Sequence, residues 1–239
     1  MSYRTYIRPL TISLFSVLFL IESSNIYSDQ TIISKHNYSL YKGNILFGKS
    51  SYILSKKDSI YTFKIKSSTD GVFKMKKDER MELSTYKIHS GYIKPISYIY
   101  SRERKDKKDY LITNFETDKK ANTIDNGQRK EHMTATGSLD RLSVQIAVQE
   151  SMNKGIFESS YNIIDKGRLR KYMYKIHSDD VIDTIFGKTN TIVIKRIIEN
   201  NKRSTLTWYA IDHDFTPVKI EQYRKKSLKF TVYLEKVIK

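Results

Sequence analysis

Hydrophobic and polar residues alternate with period two along much of this chain. In Ser59–Lys66, Tyr61, Phe63 and Ile65 share one face, while Thr62, Lys64 and Lys66 occupy the other. Arg170–Ile176 sets Tyr172, Tyr174 and Ile176 against Lys171, Met173 and Lys175. Thr205–Ile211 places Leu206, Trp208 and Ala210 together, and Leu228–Leu234 does the same for Leu228, Phe230, Val232 and Leu234. Side chains on a strand point to opposite faces in turn, so each segment predicts a strand with one apolar face. The abundant Tyr, Ile, Thr and Phe suit a half-buried pleated surface. Turn formers punctuate these runs: Asp70-Gly71, Ser90-Gly91, Asp125-Asn126-Gly127, Lys166-Gly167, Phe186-Gly187 and Asn200-Asn201. Their spacing predicts successive hairpins. The charge-dense stretches Lys74–Arg80 and Arg102–Asp109 mix both signs and read as exposed connections or strand tips.

One segment departs from this pattern. Asp140–Met152 contains no turn former, and Leu142, Ile146, Val144, Ala147, Val148 and Ser151 follow helical spacing. Ser138 or Asp140 can cap its start, and Lys154-Gly155 offers a stop. The expected fold is mainly β: a curved antiparallel sheet or incomplete barrel with one principal helix at about residues 140–152. No repeat of fixed period is present.

The N-terminus changes the setting. Arg4 and Arg8 precede an uncharged, mostly apolar run from Leu10 to Ile21, and a short polar segment ends at Ser28. That is the order of a secretory signal, with an apolar core too short to span a bilayer. The expected organisation is a signal peptide at 1–28 and a single exported β-rich domain at 29–239. Cleavage after Ser28 predicts that N-terminal sequencing of exported protein begins at Asp29. Met1 retained on membrane-bound protein would instead indicate an uncleaved anchor. Nothing later is apolar enough to cross a membrane as a helix.

The 239 residues carry a formal charge of +17, and about +16 remains without the signal. Roughly 210 residues suffice for one β-rich core. Lys and Arg are spread throughout, as on a solvated face; the functional alternative is attraction to polyanions such as phospholipid headgroups or acidic glycans. Nucleic acid is not an expected partner, since no binding motif accompanies the charge. The absence of cysteine excludes disulfides, thiol nucleophiles, Fe–S clusters and zinc-finger spacings, and with them the lipid-bearing cysteine of a lipoprotein.

The search for chemistry finds no catalytic set. The histidines His36, His89, His132, His177 and His213 never fall at metal-ligand spacing. Asp212-His213-Asp214 and Asp179-Asp180 with Asp183 read as polar turns, not cation sites. There is no nucleophile elbow, phosphate loop or dinucleotide fingerprint. No cofactor and no metal are expected. Trp208, beside Leu206 and Ala210, reads as filling the inner face of a sheet or walling a ligand cavity. With it as cavity candidates stand Tyr172, Tyr174, Leu228, Phe230 and Val232. Lys171, Lys175, Lys195 and Lys219 are then expected on the opposite face or at the rim.

The order of short motifs resembles one family. Pro95 and Tyr98 end an early strand pair, Asp140-x-Leu142-Ser143 opens the helix, and Gly155 precedes two strands. Gly167 and Tyr172, Thr184–Lys188, Trp208 and Pro217-Val218 follow in turn. Over roughly Asn37 to Val237 this is similar to the DUF3108 family of exported bacterial proteins, which brings no assigned chemistry. The architecture also resembles the LolA/LolB-like carriers, in which an incomplete barrel with helix cover surrounds an apolar cavity. These resemblances imply the periplasm of a Gram-negative bacterium. Fold alone does not give function, and two main readings stand. One is a non-enzymatic envelope protein that binds or carries a lipid-like or anionic amphiphile. The other is an envelope scaffold that docks a protein or glycan without a small ligand; a hydrolase acting on envelope material is a third. An open apolar cavity favours the carrier, and a filled interior favours the scaffold.

Overall fold

The computed structural model describes residues 30–75, 77–199 and 202–238, so the expected signal peptide and the expected cleavage after Ser28 lie outside the described residues, as does Asn200-Asn201. The first eight strands run as β1 (Thr31–Lys42), β2 (Ile45–Lys57), β3 (Ile60–Thr69), β4 (Asp78–His89), β5 (Tyr92–Arg104), β6 (Lys107–Thr117), β7 (Lys120–Asp125) and β8 (Gln128–Met133). A short β9 (Leu139–Asp140) leads into the helix α1 (Ser143–Asn153). Six more strands follow: β10 (Ser159–Ile164), β11 (Leu169–Thr184), β12 (Gly187–Ile198), β13 (Arg203–Ala210), β14 (Thr216–Arg224) and β15 (Ser227–Ile238). All fifteen strands form one sheet, ordered β8 to β1, then β15 back down to β9. Among the described residues only β9 and β10 pair in parallel. No ladder joins β8 to β9, so this curved sheet does not close into a barrel.

The hairpins follow from local backbone chemistry. Ser90-Gly91 and Asn126-Gly127 both have positive φ at each position, the turn whose twist matches that of paired strands. The Asn126 side chain accepts the Tyr110 amide at 3.0 Å and fixes its turn further. Lys225-Lys226 adopts the same left-handed pair without Gly or Asn, which the sequence did not signal. Lys74–Arg80 is less of a tip than expected, because Asp78–Arg80 already belongs to β4 and Asp78 pairs with Arg102. The Asp179, Asp180 and Asp183 group lies within β11, not in a turn.

The helix begins three residues later than predicted, at Ser143, because Leu139 and Asp140 pair with Ile163 and Ile164. Its start is nonetheless organised by Asp140. The Asp140 carboxylate accepts the Leu142 amide at 2.8 Å and the Ser143 amide at 3.0 Å, while Ser143 Oγ accepts the Asp140 amide at 3.0 Å. This reciprocal arrangement has the hydrogen bonds of a capping box, made just ahead of the helix, whose own N-cap Leu142 has no side-chain cap. At the other end the Gly155 amide reaches the Met152 carbonyl and the Ile156 amide the Ser151 carbonyl, a Schellman stop with Gly155 at φ +76°.

Two faces of α1 fill the curved sheet. Val144, Val148 and Met152 are buried with Ile163, Tyr172, Ile192 and Ile194. Leu142, with Ile146 partly buried beside it, packs against Phe63, Ile65, Tyr86 and Tyr98. The helix thus joins the two halves of the sheet through its side chains.

A polar seam completes that junction. Arg141 lies 3.3 Å from Glu82 of β4 and 3.1 Å from Asp165 in the β10–β11 turn. Glu82 also accepts the Tyr98 hydroxyl at 2.6 Å, and Ser84 Oγ donates to Asp140 at 2.7 Å. Lys166 Nζ sits 3.7 Å from the Tyr100 ring centre, a cation–π contact across the same seam. Gly167 lets the turn come this close: its φ is +67°, and a β-carbon there would lie 3.1 Å from the Thr123 methyl. The open sheet is thereby held shut by side chains instead of backbone hydrogen bonds.

Candidate functional site

Between α1 and the inner face of the sheet lies a cavity of about 670 Å³, within the roughly 300–1,000 Å³ usual for small-ligand sites. Strand parity decides what lines it. Tyr38 and Leu40 of β1, Tyr52 and Leu54 of β2, Phe63 and Ile65 of β3, and Phe230 and Val232 of β15 supply an apolar wall. The helix presents Gln145, Ile146, Gln149 and Asn153 to it, a stripe more polar than the Val144–Val148–Met152 face packed on the sheet. At one end stand Phe186, Asp212, His213 and Asp214. There His213 stacks on Phe186 with ring centres 3.8 Å apart, and Gln149 donates to the Asp214 carbonyl at 2.6 Å.

Three guanidinium groups face this space: Arg80, Arg141 and Arg196. Arg80 and Arg141 flank Glu82, at 3.5 Å and 3.3 Å. Burial pushes the Glu82 carboxyl up, but Arg141, Arg80 and the Tyr98 hydroxyl outweigh it and hold the carboxyl below its ordinary value. Arg196 differs. Its Nη2 donates to Thr205 Oγ1 at 2.7 Å and its guanidinium lies 5.2 Å from the Tyr172 ring centre. Burial pushes the Tyr52 and Tyr209 phenols up to about 12 and the Tyr174 phenol higher still, so all three remain hydrogen-bond donors at neutral pH. His36, also on the lining, is lowered by burial and stays neutral there.

The structure distributes the sequence candidates unevenly. Tyr174, Phe230 and Val232 line the cavity. Tyr172 is buried one position beyond, against α1 and beside Arg196. Leu228 is 48% exposed at the start of β15 and does not line it.

Trp208 does not line the cavity, as the sequence suggested it could; its side chain takes the other face of β13. Register explains this. Thr207 stands opposite Ile194 and Ile220, and Tyr209 opposite Ile192, so Thr205, Thr207 and Tyr209 face inward. Trp208 stands opposite Val193 and Lys219 on the outer face. It is only 6% exposed there, in a cluster with Val193, Ala210 and Val218 that continues to Tyr38 and Val232 of the cavity wall. Its indole donates to Asp180 at 2.9 Å, and Lys219 Nζ lies 4.1 Å from its ring centre. Lys175 and Lys195 are cross-strand partners on that same outer face, opposite in parity to Tyr174 and Arg196.

Sequence reasoning missed Arg80, Arg141, Arg196, Thr205 and Gln222. Arg196 carried a usable signal, since it continues the parity of Ile192 and Ile194 along β12. Among the described residues no group of His, Asp or Glu is placed to hold a metal ion. No helix of the described residues is long and apolar enough to cross a membrane.

The fold and cavity define a helix-filled, open β-sheet protein of barrel-like architecture. The chain belongs to the family described as a protein of unknown function, DUF3108, whose profile matches residues 37–233. No curated protein matches the sequence. Among solved structures it is similar to a β-barrel-like protein of domain of unknown function DUF1849 from Brucella abortus, at 7% identity and a TM-score of 0.55. That match covers 86% of this chain and 95% of the other. A candidate exported protein with a YmcC-like fold from Bacteroides fragilis matches over 86% of this chain and 95% of its own, at 11% identity and a TM-score of 0.36.

Proposed function

We propose that this protein is a non-enzymatic binding or carrier protein of the cell envelope, exported as one β-rich unit from Asp29 onward, whose ligand is a lipid-like amphiphile. The observation that carries the reading is the cavity of about 670 Å³ left open between α1 and the sheet. A scaffold with a filled interior has no need of such a space. Its wall of Tyr38, Leu40, Leu54, Phe63, Ile65, Phe230 and Val232 suits an apolar chain, whose burial is worth about 25 cal/mol per Å² as an upper guide. The polar helix stripe and the arginines suit a head that remains hydrogen-bonded. The periplasm of a Gram-negative bacterium is the compartment that fits export, the lack of cysteine and an envelope ligand.

Native mass spectrometry of the protein purified from a Gram-negative host tests this. A mass adduct that dissociates as a lipid is expected. Absence of any adduct, together with no binding of added dodecanoate or dodecanol, would leave the scaffold reading in its place.

A further inference from the structure

Across β11 to β15 the inner face carries one polar row. Tyr174 pairs with Arg196, Arg196 with Thr205, Thr205 with Gln222, and Gln222 with Phe230. Every member lines the cavity. Most of the hydrogen-bonding capacity in this row is used internally: Arg196 donates to Thr205, Thr205 to Gln222 at 3.1 Å, and the Gln222 amide to the Ser204 and Tyr223 carbonyls. Two buried groups are left over. The Tyr174 hydroxyl has no partner although the residue is only 5% exposed, and Arg196 Nε has none either. No carboxylate lies within ion-pair distance of Arg196 among the described residues, whereas Arg80 and Arg141 both meet Glu82.

A buried hydroxyl without a partner is costly, and a guanidinium beside it is a fork of fixed donors that matches an oxyanion. Orphan donors placed side by side on a cavity wall are donors awaiting an acceptor. Tyr52 and Arg80 line the same cavity. At its far end the row stops at Phe230, where the apolar wall of Val232 and Leu40 begins.

We infer that Arg196 and Tyr174 form an oxyanion site that seats the carboxylate or phosphate head of a single-chain amphiphile, with the chain running along Phe230, Val232 and Leu40. This rests on the cavity reading above and adds to it the chemistry and the position of the head. Arg196 supplies charge and a planar donor pair; the Tyr174 hydroxyl supplies the third hydrogen bond.

The test is calorimetric titration of the exported protein, wild type, Arg196→Gln and Tyr174→Phe, with dodecanoate, dodecyl phosphate, dodecanol and inorganic phosphate. Wild type is expected to bind at least one of the two charged amphiphiles about tenfold or more tightly than dodecanol. Arg196→Gln should erase that preference and leave dodecanol binding unchanged. Tyr174→Phe should weaken the charged amphiphile about threefold or more. Yet its melting temperature should be equal to wild type or higher, because the hydroxyl it removes has no partner in the free protein. Whichever of carboxylate and phosphate binds more tightly identifies the head. Dodecanol bound as tightly as the charged amphiphiles, or a preference that survives Arg196→Gln, would overturn the oxyanion site while leaving the cavity reading intact. Inorganic phosphate binding as tightly as dodecyl phosphate would overturn the amphiphile. No binding of any alkyl probe would remove both readings.

Discussion

Replacing Glu82 by glutamine is expected to lower unfolding stability at neutral pH by about 3–5 kcal/mol, the usual result of removing one partner from a buried ion cluster. Glu82 is 3% exposed and is the anion between Arg80 and Arg141. Without it those two guanidiniums face each other with no charge between them, and only Asp165 remains to Arg141. The loss falls on the seam, where the two halves of an open sheet meet through side chains. The sign of the pH dependence follows from the same contacts. The folded-state carboxyl of Glu82 is held below its ordinary value of 4.5, so its contribution is present above that pH and is lost as pH falls through the folded value. Asp140 acts in the opposite sense, because burial raises its carboxyl despite the Ser143, Ser84 and Leu142 hydrogen bonds. Acid therefore relieves Asp140 while it dismantles the Glu82 cluster. Urea unfolding at about pH 7 and about pH 4 should show wild type losing stability on acidification and Glu82→Gln losing less. Pairing the change with Arg141→Met should cost less than the two single changes summed, with a coupling of about 0.5–3 kcal/mol. Equal slopes and simple additivity would mean the seam does not depend on this charge cluster.

The strands and the helix were legible because each follows from a local rule. Period-two alternation placed Phe63 with Ile65, Tyr172 with Tyr174, and Phe230 with Val232, and all six lie on the inner face. The helix announced itself through 3.6-residue spacing and through Asp140 and Gly155 at its two ends. What alternation cannot state is which face of a strand is the inner one. In β13 both faces are buried, and the more apolar one, Leu206–Trp208–Ala210, points away from the cavity. Register with β12 and β14 decides that question, and register is a property of three strands together. The same limit hid the oxyanion row. Arg196 reads as the polar end of an apolar run until Thr205, 9 residues further on, is brought beside it, and Gln222, a further 17 residues along, beside Thr205. The seam was invisible for a related reason: Glu82, Arg141 and Asp165 meet only because the sheet curves round the helix.

Trp208 separates structure from ligand binding, and its replacement by alanine is expected to cost about 3–5 kcal/mol. The ring is 6% exposed and packed with Val193, Ala210 and Val218, so truncation leaves a void that rigid strands can only partly close. Two polar contacts go with it, the bond to Asp180 and the Lys219 ammonium over the ring, but both partners reach solvent and add little. Trp208→Phe keeps most of the volume and should recover much of the loss. Because the indole faces away from the cavity, neither change should alter the affinity for dodecanoate of the protein that remains folded, by contrast with Arg196→Gln. Its fluorescence accordingly follows unfolding of the β12–β14 region, and saturation with dodecanoate should leave its emission maximum in place. A large emission shift on binding, or an affinity that falls with Trp208→Phe as far as with Arg196→Gln, would place the ligand on the opposite face of the sheet from the one that Arg196 and Tyr174 define.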